Sequence, residues 1–229
     1  MTRHPVHKAP TLRRLANWLR PGQGRSRGGG QPDDESRPAA EGTTVRLRDG
    51  SRVLVRPVRS TDASLIAEGF ARLSERSRRM RFLGKKDELT AAELHYYANV
   101  DHHDHEALGA LSPADGWGVG IARYIRDADD PGAAEIAVTI ADDWQGRGLG
   151  TELLARLSDR ARQAGIGRFT ATVSADNVAM PRLLWKMGAE LTGRSRGTVD
   201  YEVALEPADE YSLDGWFRSV DDGAVLAWP

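Results

Sequence analysis

The segment DDWQGRGLGTELL, residues 142–154, places Gly146, Gly148 and Gly150 within five positions, directly before an apolar helical pattern. Glycine lets the backbone approach a ligand closely and adopt positive φ angles. The first amides of a helix have no partner inside the helix, and the positive end of the helix dipole lies beside them. Together these features predict a binding site for a phosphate or pyrophosphate.

The loop differs from the two best-known phosphate-binding loops. A P-loop requires G-x-x-x-x-G-K-[ST], and this segment supplies neither the Lys nor the hydroxyl in place. The dinucleotide fingerprint G-x-G-x-x-G lies near the start of a doubly wound domain, whereas here G-x-G-x-G follows at least three predicted strands. The sequence therefore predicts an anion site of another kind.

The loop lies between a strand and a helix that must position it. AAEIAVTIAD, residues 133–142, has the composition of a strand, and RFTATVSA, residues 168–175, has that of another. Between them Leu149, Leu153, Leu157 and Ala161 form one apolar stripe at helical spacing. A strand, crossover helix and strand of this kind normally make the two strands parallel.

The other elements are predicted from their periodicity and end signals. A hairpin is predicted around Asp49-Gly50, and another around Gly197. Helices are predicted in STDASLIAEGFARLSERS (60–77), LTAAELHYYANV (89–100) and NVAMPRLLWKMGAE (177–190), and Thr90 with Glu93 forms a capping-box pattern in the second. EALGALS (106–112) and WGVGIARYIRD (117–127) are predicted strands.

Composition divides the chain into three parts. The first 32 residues contain seven Lys or Arg and no acid, so residues 1–42 are predicted to be a disordered basic segment. Residues 43–205 are predicted to form one folded domain. Residues 206–229 hold six acids and one base together with several aromatic residues, and we interpret them as an acidic and aromatic tail.

Charge and residue usage exclude several function classes. With 32 Lys and Arg against 33 Asp and Glu, the chain has no bulk attraction for nucleic acid or anionic membranes, so no specific nucleic-acid partner is expected. The absence of cysteine excludes disulfides, thiolate metal sites and a Cys nucleophile. No apolar run approaches the roughly 18 residues of a transmembrane segment, so a cytoplasmic protein is predicted.

The segment IAVTIADDWQGRGLGTELL resembles the acetyl-CoA-binding motif of the GNAT superfamily of N-acetyltransferases, Q/R-x-x-G-x-G/A, and Gln145, Gly148 and Gly150 fill its defining positions. The resemblance extends from about Val53 to Leu205. The segment RPVRSTDASLIAEGFARLSERSRRMRFLG is similar to the branch of bacterial protein lysine acetyltransferases. This resemblance implies an α+β (α/β/α) fold with a mixed, mostly antiparallel central sheet and a strand–loop–helix unit that binds CoA.

The resemblance also implies acetyl-CoA as co-substrate, with no metal, and assigns residues to its binding. Val138 and Ile140 correspond to the strand positions whose backbone pairs with the pantetheine arm. Asn177 corresponds to a position that often contacts this arm, although it is equally suited to cap the following helix. The pyrophosphate would be held by the amides of Gln145, Gly146, Arg147, Gly148, Leu149, Gly150 and Thr151, with the Thr151 hydroxyl as a further donor.

Acetyl transfer to an amine requires removal of a proton, because a free lysine has a pKa of about 10.4. Glu135 lies where similar lysine acetyltransferases carry a glutamate, and it is the candidate general base; the alternative is a glutamate that only points to solvent. A backbone amide near Val138 is expected to polarise the thioester carbonyl. Many GNAT enzymes use a tyrosine as general acid where this chain has Leu184, so no acid is assigned.

Three functions remain open from the sequence. The leading one is acetylation of a primary amine, with a protein lysine preferred as acceptor; the others are a small-molecule amine acetyltransferase and a CoA-sensing module without turnover. The segment DHHDHE, residues 101–106, is interpreted as a polar loop. A metal site and a pH-responsive histidine are the alternatives there.

Overall fold

A computed structural model describes residues 42–205. The predicted basic segment, apart from its last residue, and the predicted acidic tail lie outside the described residues. None of the helices within the described part of the chain is both long and apolar enough to cross a membrane.

Eight strands form one sheet in the order β1-β2-β3-β4-β5-β6-β8-β7. Every neighbouring pair is antiparallel except β5 and β6, which are parallel. The strands are β1 Thr43–Arg46, β2 Arg52–Pro57, β3 His105–Leu111, β4 Gly118–Arg126, β5 Ala133–Ile140, β6 Arg168–Ser174, β7 Glu190–Ser195 and β8 Thr198–Ala204. The predicted mixed, mostly antiparallel sheet is confirmed.

Five α-helices accompany this sheet within residues 42–205. They are α1 Ala63–Ala71, α2 Glu75–Phe82, α3 Ala91–Ala98, α4 Leu149–Gln163 and α5 Ala179–Lys186. Helix α4 connects the parallel strands β5 and β6, as the strand–helix–strand pattern predicts. Two short 3₁₀ turns, Ser60–Asp62 and Asp142–Trp144, precede α1 and the glycine loop.

The main core lies between the sheet and the apolar stripe of α4. Leu153 and Leu157 of this helix are fully buried, as are Tyr124 of β4 and Phe169 of β6. Burial of each such side chain stabilises the fold by roughly 1.5–3 kcal/mol. Neighbouring residues of a strand face opposite sides of the sheet. The even-numbered residues of β5, such as Ile136, face α4, so the odd-numbered ones lie on the opposite face of the sheet. Helix α1 packs against β4, on the face that bears Arg123 and Thr139.

Most of the local predictions are confirmed. The Asp49-Gly50 turn joins β1 to β2, and Gly50 has a φ of 85°. The Thr90 side chain accepts a hydrogen bond from the Glu93 amide, and Glu93 completes the capping box of α3. Pro181 is the third residue of α5, where the missing amide proton breaks no helical hydrogen bond.

The single helix predicted over residues 60–77 is wrong, because the chain leaves the helix after Ala71. Ser74 then starts α2, and its hydroxyl accepts a hydrogen bond from the Ser77 amide at 3.2 Å. A serine inside a continuous helical pattern competes with the helix as a cap. Asp142, 68 residues further along the chain, stabilises this break by accepting hydrogen bonds from Ser74.

Candidate functional site

The parallel strands β5 and β6 separate after three paired positions. Their register runs from Ala133 and Arg168 to Glu135 and Thr170 and then ends. The carbonyl of Gly132 accepts hydrogen bonds from the amides of Gly167 and Arg168, so alternate backbone groups of β5 point toward β6. Beyond Glu135, where the pairing has ended, the backbone amide and carbonyl groups of Val138 and Ile140 therefore face the gap between β5 and β6. The separation of the strands opens a cleft of about 480 Å³.

The glycine loop closes one end of this cleft at the start of α4. Gly148 has a φ of 91°, which strongly favours glycine, and Gly150 packs so closely on α5 that an added Cβ would lie 3.2 Å from Leu183. The first helical hydrogen bond that follows runs from the Glu152 amide to the Gly148 carbonyl. The amides of Leu149, Gly150 and Thr151 precede this bond, so they have no acceptor inside the helix.

Two of the predicted loop residues, Gln145 and Arg147, use their side chains for hydrogen bonds within the protein. The Gln145 amide lies 3.4 Å from the Asp142 carbonyl, and its side-chain amide donates to the Ile140 carbonyl at 3.1 Å. The Arg147 guanidinium donates to the Asp143 carbonyl and lies over the ring of Trp144. Both side chains thus stabilise the loop and its connection to β5.

The helix α2 is attached to the same loop by a carboxylate. Asp142 accepts hydrogen bonds from the amide and hydroxyl of Ser74, both at 2.9 Å, and from the Ser77 hydroxyl at 2.7 Å. Burial would raise the pKa of Asp142, but these hydrogen bonds outweigh it, and the pKa is lowered. The contact places Met80 and Arg81 of α2 on the wall of the cleft.

Arginine 48 covers the loop from the β1–β2 turn. Its amide donates to the Arg147 carbonyl at 3.2 Å, and its side chain lies about 3.3 Å from the position of a Cβ on Gly148. The adjacent Asp49 forms an ion pair with Arg147 at 3.2 Å. Sequence reasoning missed Arg48, because it precedes the loop by 100 residues and no local pattern connects the two.

Other cations on the cleft also escaped prediction. These cations are Arg76, Arg182 and Lys186, which line the cleft. Like Arg48, they belong to elements that carry no glycine motif. Positive side chains around free helix-start amides favour a ligand with several negative charges. The donor set therefore fits a pyrophosphate, and the gap along β5 leaves the backbone of Val138 and Ile140 open to an extended arm attached to it.

Asn177 was assigned either to the cap of α5 or to the CoA arm. Its side-chain carbonyl accepts hydrogen bonds from the amides of Ala179 and Met180, both at 3.0 Å, so it caps α5. The same residue lines the cleft. The cap leaves the side-chain NH₂ group without a hydrogen bond to any described residue.

Glu135 occupies the last paired position of β5, where the strands separate, and it lines the cleft. Within residues 42–205 its carboxylate forms no hydrogen bond or ion pair. Burial raises its pKa to about 7; Arg81 opposes this change, while Asp127 and Asp200 add to it. A carboxylate with this pKa exchanges a proton readily at neutral pH.

The histidine-rich segment is a turn only over residues 101–104, and its last two residues, His105 and Glu106, are buried in β3, so its interpretation as a polar loop is wrong for these two. The Asp101 carboxylate accepts hydrogen bonds from the amides of His103, Asp104 and His105, and His105 stacks on Tyr96. The described residues contain no group of three or more His, Asp or Glu that could hold a metal ion.

Comparison with known proteins identifies the family. Residues 52–190 match the family model described as the acetyltransferase (GNAT) domain. The chain belongs to the GNAT acetyltransferase family. As a GNAT acetyltransferase it uses acetyl-CoA as co-substrate, in agreement with the fit of the cleft to a pyrophosphate and an extended arm.

Two curated relatives and one solved structure support this assignment. The chain is 34% identical to acetyltransferase Pat of Mycolicibacterium smegmatis over 169 residues, which cover 72% of this chain and 49% of Pat. It is 40% identical to acetyltransferase PA5475 of Pseudomonas aeruginosa over 144 residues, or 62% of this chain and 77% of that protein. The GNAT domain of S. lividans PAT matches with 30% identity and a TM-score of 0.67, over 71% of this chain and 96% of that chain.

The chain spans about half the length of Pat, so the two proteins can be compared only over the matched region. In the position of the frequent tyrosine acid, Leu184 is fully buried in the core. A leucine side chain has no ionisable proton, so it cannot act as a general acid.

Proposed function

We propose that this GNAT acetyltransferase transfers the acetyl group of acetyl-CoA to the ε-amine of a protein lysine, with Glu135 as the general base. The observation that carries the proposal is the unpaired carboxylate of Glu135 at the point where β5 and β6 separate. The resemblance of residues 56–84 to the branch of bacterial protein lysine acetyltransferases favours a protein lysine as acceptor.

In this proposal the loop and β5 bind acetyl-CoA, and Glu135 transfers the proton. The amides from Gly146 to Thr151 and the cations around them hold the pyrophosphate, and the backbone of Val138 and Ile140 pairs with the extended arm. Acetyl-CoA supplies an acetyl thioester, and the Val138 amide polarises its carbonyl. The proposal includes Asn177, whose free NH₂ group is directed to the same arm.

The proton balance requires a base that is ionised before the amine attacks. A lysine ammonium has a pKa of about 10.4, so it is almost entirely protonated at neutral pH. Glu135, with a pKa raised to about 7, is about half ionised there and accepts a proton from the ammonium directly or through water. Since no tyrosine acid stands at Leu184, the departing thiolate takes its proton from solvent.

The test combines thiol release with product mapping. Purified protein is incubated with acetyl-CoA and either a soluble protein extract or a panel of small amines, and acetylated positions are identified by mass spectrometry. Protein-dependent thiol release with acetyl on lysine ε-amines is the expected result. Faster acetylation of a small amine than of any protein would overturn the acceptor, and CoA binding without acetylation of any amine would favour the CoA-sensing alternative.

Glu135→Gln tests the base in the same assay. Turnover is expected to fall by roughly 10² to 10⁴, the usual contribution of a general base, with CoA affinity retained. Glu190→Gln is the matched control, because Glu190 is an exposed residue of β7, outside the residues that line the cleft. The proposed place of action is the cytoplasm.

A further inference from the structure

A second cavity of about 110 Å³ lies on the face of the sheet covered by α1 to α3. Its walls are mainly apolar and include Val58, Leu65, Ile66, Phe70 and Ile121. Arg81 and Thr139 line both this cavity and the cleft beside Glu135. The cavity is therefore adjacent to the place where the acceptor amine must arrive.

Arg123 of β4 lines the cavity and is only 4% exposed. Its guanidinium contacts the His105 Nε2 atom at 3.0 Å and the Tyr97 carbonyl at 3.4 Å, and it lies over the Tyr97 ring. All of these partners are neutral, because burial and the neighbouring Arg123 lower the pKa of His105 to about 4. No carboxylate of residues 42–205 forms an ion pair with Arg123.

A buried cation without a carboxylate is costly unless a ligand completes its contacts. Burial and the repulsion of Arg81 lower the pKa of Arg123 to about 10, so it is still charged at neutral pH. Elsewhere on the cavity wall Arg56 is already paired with Asp62 at 2.6 Å. Within residues 42–205 no carboxylate forms an ion pair with Arg123 or Arg81, so these are the groups of the cavity that would receive an anion.

The strand register sets the distance between this charge and the base. Arg123 is paired with Ala137, and Glu135 lies two residues before Ala137 on the same face of β5. Their Cα atoms are therefore about 8 Å apart, from two strand rises and one strand spacing. The Arg123 side chain extends toward His105 on β3, away from Glu135, which lengthens the span between the guanidinium and the carboxylate.

We propose that this cavity binds the carboxylate of a small ω-amino acid, whose amine reaches Glu135, so that the enzyme acetylates free amino acids of this class in addition to protein lysines. The inference rests on the proposed function for its base. Glu135 accepts one proton from the ammonium, and the freed amine nitrogen bonds to the thioester carbonyl carbon as the carbon–sulfur bond breaks. The second nitrogen proton passes to solvent, and the thiolate is protonated by solvent. The aliphatic spacer lies along the apolar wall, and the carboxylate pairs with Arg123 and Arg81.

The test compares amines that differ only by the carboxylate. The kcat/KM of the full chain is measured for γ-aminobutyrate, δ-aminovalerate and ε-aminocaproate, and for n-propylamine, n-butylamine and n-pentylamine. At least one amino acid of the series is expected to exceed its matched alkylamine by roughly 10- to 100-fold, the range for one buried hydrogen bond to a charged group. A ratio near one across the series overturns the proposal.

Three variants separate the carboxylate contact from folding. Arg123→Met removes the charge at similar side-chain length and is expected to reduce the ratio to near one, whereas Arg123→Lys retains part of it. Gly69→Leu narrows the cavity and leaves Arg123 in place; a Cβ there lies 3.7 Å from the Gly118 carbonyl, which is an ordinary contact. It is also expected to reduce the ratio. Arg79→Met, at an exposed position of α2, is the control and keeps the wild-type ratio.

The outcomes distinguish this proposal from the proposed function. An unchanged ratio in both Arg123→Met and Gly69→Leu, with CoA binding intact, overturns the carboxylate site and leaves lysine acetylation unaffected. Loss of CoA binding in Arg123→Met would indicate misfolding, and Gly69→Leu then decides. A high carboxylate ratio without acetylation of any protein lysine would overturn the protein acceptor and support the cavity.

Discussion

Replacing Glu135 by Gln removes the ionisable group at the end of β5 and nearly preserves its shape. Burial raises the pKa of this carboxyl from 4.5 to about 7. Below pH 7 its ionised fraction falls about tenfold per pH unit. The kcat/KM of the wild-type enzyme should therefore rise with pH to a midpoint of about 7 and then level off, whereas Glu135→Gln should lose this rising limb together with roughly 10² to 10⁴ of its turnover.

The same substitution has a calculable effect on stability. The folded-state pKa is raised, so the folded protein binds this proton more tightly than the unfolded chain does. The stabilisation from Glu135 is complete below pH 4.5 and is lost as the pH rises to about 7. Ionisation in the folded state then costs about 3 kcal/mol, an upper value because the side chain is only partly buried. Glutamine avoids this cost.

The assay is urea unfolding of both proteins at pH 5 and pH 8, next to their pH–rate profiles. The free energy of unfolding of Glu135→Gln, relative to wild type, should increase by about 2 to 3 kcal/mol between these pH values. Glu190→Gln should show no such change. A pH-independent difference, or a Gln variant that keeps the rising limb near pH 7, would refute the assignment of the base.

Three further perturbations test the binding cleft and its support. Gly148→Glu should abolish CoA binding measured by calorimetry, because a charged side chain fills the loop; Gly197→Glu, which carries the same positive-φ strain on the β7–β8 turn with open space around it, should bind CoA normally. Arg48→Gln should weaken CoA affinity by about 10-fold, and less at high salt, whereas Arg52→Gln should not; equal effects would remove Arg48 from the site. Asp62→Asn should lower the free energy of unfolding by about 3 kcal/mol, because it leaves its buried arginine partner unpaired; an unchanged urea midpoint would contradict this.

The predictions that the structure confirms rest on sequence patterns within single segments. The spacing of the three glycines, the apolar stripe of α4 and the capping box at Thr90 all act within a few residues of the backbone that they shape. The crossover rule then makes β5 and β6 parallel without knowledge of any contact. The roles of Gln145 to Thr151 and of Glu135, in contrast, were predicted from the resemblance of their segments to GNAT acetyltransferases.

The failed helix prediction shows the limit of such signals. A helical apolar pattern runs through residues 60–77, but Ser74 and Ser77 bind a carboxylate that lies far along the chain. The cost of ending the helix is offset by that contact and by the cap of α2. No pattern within the segment itself carries this information.

The sequence by itself determined the order of the elements and predicted an anion-binding loop, because both depend on periodicity and on chemistry within one segment; the assignment of Glu135 came from the resemblance to lysine acetyltransferases. Only the tertiary structure decided that Arg48 covers Gly148, that burial raises the pKa of Glu135 to about 7 and that Arg123 is buried with no ion pair to a carboxylate of residues 42–205. Each of these depends on strand register and on which face of the sheet a helix covers. Burial and electrostatic coupling arise from residues that meet only when the chain has folded.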